Sequence, residues 1–223
     1  MPDFSDLSRS PTDSGRSASP VRTKAEIRTR LTAARRSLPA RTRHAADAAL
    51  RAALVAFLAA RRAKVVAAYA PQPREPGGAD LPDALAAATR TVLLPVVGSD
   101  RDLDWAVHTG DLRTGRYGLR EPAGRRLGAD AIATADLVVV PALAADRRGA
   151  RLGRGRGYYD RALARTAPGA LVLALLYDGE LLDALPTEPH DRPVHGAVTP
   201  TGVVLLTALD ETGSDVAPLA LEE

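Results

Sequence analysis

The chain has 223 residues, of which 45% are hydrophobic and 4% aromatic, with no cysteine and a net charge of +3 at pH 7. This is ample apolar material for a core, which excludes a wholly disordered chain, and a disulfide framework or thiol chemistry is excluded outright. No apolar run approaches the ~20 residues of a membrane span. The polar N-terminus lacks the apolar stretch of a signal peptide, so a cytoplasmic protein without membrane contact is expected.

Charge is unevenly placed. Residues 1–62 carry +8, residues 63–207 are balanced, and residues 208–223 carry −5. Only Lys24 and Lys64 are lysines, so arginine supplies nearly all the positive charge. A basic N-terminal region suits phosphate, and the scarcity of aromatics for base stacking favours a small anionic ligand over nucleic acid.

In chain order, residues 1–22 are polar and are expected to be a disordered extension. Residues 23–208 are expected to form a single α/β domain, and residues 209–223 a loose acidic tail. Thr23 is placed to cap a helix running to Ser37; Pro39 breaks it, and an alanine-rich helix follows over 40–61. Lys64 to Tyr69 is a nearly continuous apolar run, the pattern of a strand buried on both faces. A Pro/Gly loop spans 70–80, a helix about 80–89, and strands Val92–Val96 and Leu103–Val107. A loop then contains Gly110, Gly115 and Gly118. Leu137–Pro141 reads as a buried strand, Tyr158–Arg165 as a helix, and Leu171–Leu176 as another strand. Residues 180–185 read as a helical turn and Val203–Leu206 as the last strand. This alternation predicts a three-layer α/β/α sandwich with a mostly parallel sheet and an N-terminal helical segment. Ligands of such sheets bind beyond the carboxyl ends of the strands. The segments after Tyr69, Val107 and Val140 are expected to converge there.

The segment most directly tied to chemistry is Arg151 to Asp160, RLGRGRGYYD. Gly153, Gly155 and Gly157 expose backbone N–H groups with no Cβ in the way. Arg151, Arg154 and Arg156 add forked donors suited to phosphate oxygens. The following helix start attracts anions, and Asp160 is placed to hold the magnesium that accompanies a nucleotide. The pattern predicts a nucleoside-triphosphate site. It is neither GxGxxG, since Tyr158 stands where glycine is needed, nor GxxxxGK[ST]. The alternative is a solvated Arg/Gly loop serving an RNA- or anion-binding module, with steep salt dependence and no turnover.

Four motifs together resemble the 5-formyltetrahydrofolate cyclo-ligase family. A strand ending in proline (Val138–Pro141), then Asp146, leads into RLGRGRGYYD. Lys24 to Arg28 with Arg35-Arg36 is similar to the family's basic first helix. Gly115–Pro122 (GRYGLREP) is similar to its glycine-aromatic-Glu-Pro loop, and Leu185–Asp191 (LPTEPHD) to its late His-Asp motif. The resemblance spans roughly residues 23–207. Two positions depart from it: His195 stands where aspartate is common, and Ala145 where phenylalanine is.

The resemblance implies an ATP- and magnesium-dependent ligase. Arg151, Leu152, Gly153, Arg154, Gly155, Arg156, Gly157, Tyr158 and Tyr159 would cradle the triphosphate, with Arg154 and Arg156 nearest the transferred group. Lys24 and Arg28, spaced i, i+4 on one helical face, would reach the phosphates; a solvated basic face is the plain alternative. Glu75 and Tyr117 would hold the pterin, with Arg154 and Tyr158 also against the substrate. Asp160 and Asp191 would bind magnesium, although Asp160 also suits a helix first turn. His190 is left out of the metal site. Trp105 is assigned to the core. The expected partners are ATP and 5-formyltetrahydrofolate, with the protein a monomer.

Overall fold

The computed structural model describes residues 23–98 and 102–206; the expected N-terminal extension and acidic tail lie outside them. Helix α1 spans Lys24–Ser37 and begins where expected. The Thr23 side chain accepts from the Glu26 N–H while the Glu26 carboxylate accepts from the Thr23 N–H, a reciprocal cap. Helix α2 (Ala40–Arg61) follows Pro39 at once. Strand β1 is Val65–Ala67, helix α3 Leu81–Ala88, β2 Thr91–Val97 and β3 Leu103–Val107. A hairpin of β4 (Leu112–Thr114) and β5 (Arg120–Pro122) precedes β6 (Leu137–Pro141). Strands β7 (Ala144–Asp146) and β8 (Arg151–Leu152) lead to helix α4 (Tyr158–Leu163). Then come β9 (Leu171–Leu175), β10 (Leu181–Leu182), β11 (Gly196–Thr199) and β12 (Gly202–Leu205).

Seven strands form the main sheet in the order β12-β11-β9-β6-β1-β2-β3. The five inner strands are parallel, and β3 and β12 close the two edges antiparallel. Successive residues of a strand point to opposite faces, and the core divides accordingly. Val66, Val139, Leu173 and Val198 join Leu50, Leu54 and Leu58 of α2 and Leu81 and Leu85 of α3 on one face. Ala67, Val138, Val140, Val172 and Ala174 face the other way, with Trp105, Ile132 and α4 residues Ala162 and Leu163. Each fully buried leucine stabilises this packing by about 2 kcal/mol. The expected three layers are thus present, and Trp105, 0% exposed, lies in the core as assigned.

Three expectations need correction. Residues 180–185 form no helical turn, because Leu181 and Leu182 pair with Ala145 and Asp146 as a strand. The final strand is half of a hairpin whose other half, β11, was not anticipated. Finally, β3 runs antiparallel, with Val107 opposite Leu93 near the start of β2, so the chain leaves Val107 at the far edge. The β4/β5 hairpin carries it back: the Glu121 carboxylate accepts the Val97 N–H (3.0 Å) and Arg116 donates to the Gly98 carbonyl (3.0 Å).

The chain order places a switch point between β1 and β6, since β2 continues to one side and β9 and β11 to the other. A crevice opens at the carboxyl ends of strands around such a point. Helix α1 is packed near it through Ile27 and Leu31 against Leu143, Ala144, Leu152 and Leu185.

Candidate active site

Beyond β8 and α1 lies a cavity of ≈ 1070 Å³. Lys24 and Arg28 of α1 form one wall, and the glycine-rich loop forms another with Gly153, Gly155 and Gly157. Gly155 (φ +85°) and Gly157 (φ +69°) need the left-handed conformation that only glycine adopts freely. Arg28 Nε donates to the Gly153 carbonyl (3.0 Å), so α1 holds the loop as well as facing the cavity. Arg151, Leu152 and Arg156 complete this wall, and Asp160, Glu188 and Asp191 also line the cavity.

The cavity's acids are held by its bases. Arg151 Nη2 lies 2.6 Å from Asp160 Oδ1, and Lys24 Nζ 2.6 Å from Asp191 Oδ2. Partial burial alone would raise the Asp191 carboxyl. The Lys24 ammonium and the Glu188 N–H outweigh it and hold Asp191 below the usual carboxylate range. These contacts use one oxygen of each aspartate, Oδ1 of Asp160 and Oδ2 of Asp191. The second oxygen of each is left for a ligand, and hard cations take carboxylate oxygen. Glu188, His190 and Asp191 also bring ligating atoms within 4.8 Å of one another. The carboxylate oxygens of Glu188 and Asp191 suit a hard cation such as magnesium, Glu188 being a carboxylate that the sequence reading passed over, while Asp160 stands outside this trio.

Some predicted residues stand elsewhere. Tyr158 and Tyr159 do not line the cavity; their rings pack on the core beneath α4, where burial pushes the Tyr159 hydroxyl far up from the ordinary tyrosine range. Arg154 turns away as well, with Nη2 3.0 Å from Glu75 Oε1. Arg156 spans both regions: it lines the cavity, and its guanidinium lies 4.9 Å from the centre of the Tyr117 ring. Glu75 and Tyr117 thus sit on the other side of the glycine-rich loop from the phosphate cavity. Tyr117 is 66% exposed, so ring surface beyond the Arg156 contact is open to a stacking partner.

Sequence reasoning missed the groups that hold Glu75 and α1 in place. Asp47 Oδ1 accepts from the Gly77 N–H (3.0 Å) and from the Tyr177 hydroxyl (2.7 Å). Arg51 donates to the Gly77 carbonyl (2.7 Å), and the Tyr69 hydroxyl to that of Pro76 (2.7 Å). Asp47 and Arg51 are one helical turn apart, so one face of α2 clamps the Pro-Gly-Gly loop after Glu75. Arg35, assigned only to a basic helix, is buried and paired twice with Glu180 at 2.7 Å, while also donating to the Ala142 carbonyl. The available signals were a lone Asp in an Ala/Arg helix, and an arginine on the stripe of Ile27 and Leu31.

Comparison with known proteins decides the lineage. The sequence matches the 5-formyltetrahydrofolate cyclo-ligase family over residues 20–200. The chain belongs to that family. A Mycolicibacterium smegmatis 5-formyltetrahydrofolate cyclo-ligase is 43% identical over 192 residues, covering 83% of this chain and 98% of the relative. The cyclo-ligase fold is matched by the Aquifex aeolicus 5,10-methenyltetrahydrofolate synthetase, with TM-score 0.67, 28% identity, and coverage of 82% of this chain and 92% of that one. The Mycoplasma pneumoniae synthetase gives TM-score 0.65 at 21% identity, covering 79% and 98%, a likeness of fold. Among the described residues, no helix of this cyclo-ligase family member is long and apolar enough to cross a membrane.

Proposed function

We propose that the chain converts 5-formyltetrahydrofolate and ATP, with magnesium, into 5,10-methenyltetrahydrofolate, ADP and phosphate. The observation that carries this reading is the glycine-rich loop, with a large cavity lined by basic residues on one side and Glu75 and Tyr117 on the other. A formamide oxygen is a weak nucleophile and its carbon a weak electrophile, so the reaction needs phosphorylation of that oxygen. Phosphoryl transfer asks the protein for position and charge rather than for a nucleophilic side chain, and the basic lining of the cavity supports that reading.

Loop N–H groups with Lys24, Arg28 and Arg156 receive the triphosphate. Asp160 and Asp191 would hold magnesium, which neutralises phosphate charge when bound. Glu75 accepts from the pterin N–H groups while Tyr117 stacks on the ring. The γ-phosphoryl group moves to the formyl oxygen as its bond to ADP breaks. N10 then attacks the formyl carbon, and phosphate departs with the formyl oxygen and the N10 proton. Arg156 stabilises the charge on the transferred group, a contribution on the order of 10²–10³ in rate.

Nucleic-acid binding by the Arg/Gly loop is disfavoured by the same geometry. Arg151 is 8% exposed and bound to Asp160, and the two exposed arginines of the loop are engaged with protein groups, Arg154 with Glu75 and Arg156 with the Tyr117 ring. The chemistry is tested with substrate carrying ¹⁸O in its formyl group. The label is expected in inorganic phosphate; label found only in water would contradict transfer to the formyl oxygen.

A further inference from the structure

Arg154 is the one arginine of the glycine-rich loop that does not line the cavity. Its guanidinium, 63% exposed, sits 3.0 Å from a Glu75 carboxylate that is 10% exposed. The two partners differ in freedom. Glu75 is fixed: its second oxygen accepts from the Gln72 N–H (2.8 Å), and the next two residues are gripped by Tyr69, Asp47 and Arg51. Arg154 stands between Gly153 and Gly155, on a segment whose neighbours turn with little steric cost.

The chemistry of the contact is also specific. A guanidinium presents a planar fork of N–H donors to a carboxylate. The 2-amino and ring N–H edge of a pterin presents an equally planar pair, and with Oε2 already accepting from the Gln72 N–H it would compete with the guanidinium for the Oε1 side of the Glu75 carboxylate. We infer that Arg154 is a placeholder on Glu75, displaced by the incoming reduced folate and thereby released to the triphosphate. This inference rests on the proposed function, since it takes Glu75 as the pterin acceptor. Folate and nucleotide then bind with positive coupling, because each favours the loop state in which Arg154 has left Glu75; linkage makes the effect reciprocal. The enzyme gains its full phosphate charge only when the acceptor is in place.

Calorimetric titration with a non-hydrolysable ATP analogue and magnesium tests this. In the wild type, 5-formyltetrahydrofolate should tighten analogue binding about threefold or more, the scale of releasing one partly exposed ion pair. Glu75→Gln should tighten binding by a similar factor with no folate present, and Glu75→Gln/Arg154→Met should bind no tighter than Arg154→Met alone. Arg154→Met on its own should abolish the folate effect, a readout that stands even where Glu75→Gln fails to fold. The inference is overturned if Glu75→Gln leaves analogue binding unchanged. It is also overturned if the tightening survives in the Arg154→Met background, since loss of negative charge would then explain it. Wild-type turnover measured alongside separates the levels: turnover without coupling removes the placeholder alone, whereas a wild type without turnover removes the functional reading beneath it.

Discussion

Arg151, proposed to face the triphosphate, carries structure at the same time. Its side chain is 4% exposed and meets Asp160 at 2.6 Å, while its Nε has no hydrogen-bond partner. From the motif alone Asp160 is a magnesium ligand, and Asp160→Asn would be expected to weaken magnesium-dependent turnover far more than folding stability. The structure gives that aspartate a second duty, because Asn would leave a nearly buried guanidinium without its counter-charge. Asp160→Asn is therefore predicted to lose about 1–3 kcal/mol of stability in urea unfolding. It should also raise the magnesium concentration needed for turnover. Unchanged unfolding would deny the ion pair a stabilising part, and an unchanged magnesium requirement would remove Asp160 from the metal site.

At the scale of elements, the β4/β5 hairpin decides where Tyr117 stands. Glu121, 4% exposed, fastens the hairpin to the end of β2, and Gly115 lies directly over its carboxylate. A Cβ on Gly115 would come 2.0 Å from Glu121 Cδ, so alanine there must push the hairpin off its anchor. Gly115→Ala should raise the KM for 5-formyltetrahydrofolate several-fold while leaving the KM for ATP nearly unchanged, as steady-state kinetics would show. An equal rise in both would mean that the hairpin serves the whole site rather than the pterin side. The long elements were readable in the sequence because period and punctuation agreed: Thr23 and Pro39 bound α1, and β6 is a bare Val/Leu run. The short ones were not. β7, β8, β10 and β11 have two to four residues each, too few to show a period, and exist because a neighbouring strand accepts them. Buried Asp47 and Glu180 escaped notice for a related reason, since their roles depend on partners 30 and 145 residues away.

For the molecule as a whole, stability should carry a pH signature from His195. Its ring Nδ1 accepts the Val172 N–H (2.9 Å) and its backbone N–H donates to the Val172 carbonyl (2.8 Å), so the residue extends the pairing of β9. Burial lowers the imidazole's pKa from its ordinary 6.5. The unfolded chain thus binds this proton more readily than the folded one, and stability rises with pH. The contribution is complete above about 6.5 and is lost as pH falls through the lowered folded value, at up to ~1.4 kcal/mol per pH unit. His195→Asn keeps an acceptor without titrating, so its unfolding free energy should vary less between pH 7 and 5 than the wild type's. Equal slopes would mean that other groups set the pH dependence.

The same whole-molecule view explains why function was more readable than geometry. The glycines, arginines and carboxylates lie in four short motifs, and their chemistry is local to each. Which of them face one another depends on the switch point between β1 and β6, which no single motif encodes. That is why Arg154 was assigned to the phosphates, whereas the fold turns it to Glu75. The central claim remains that this arrangement closes the methenyl ring of a reduced folate at the expense of ATP. The most direct measurement is the near-ultraviolet absorbance of purified protein mixed with 5-formyltetrahydrofolate, ATP and magnesium. The account predicts a rise from the methenyl product that fails when ATP or magnesium is omitted. No rise from folded protein, beside an active cyclo-ligase under the same conditions, would contradict it.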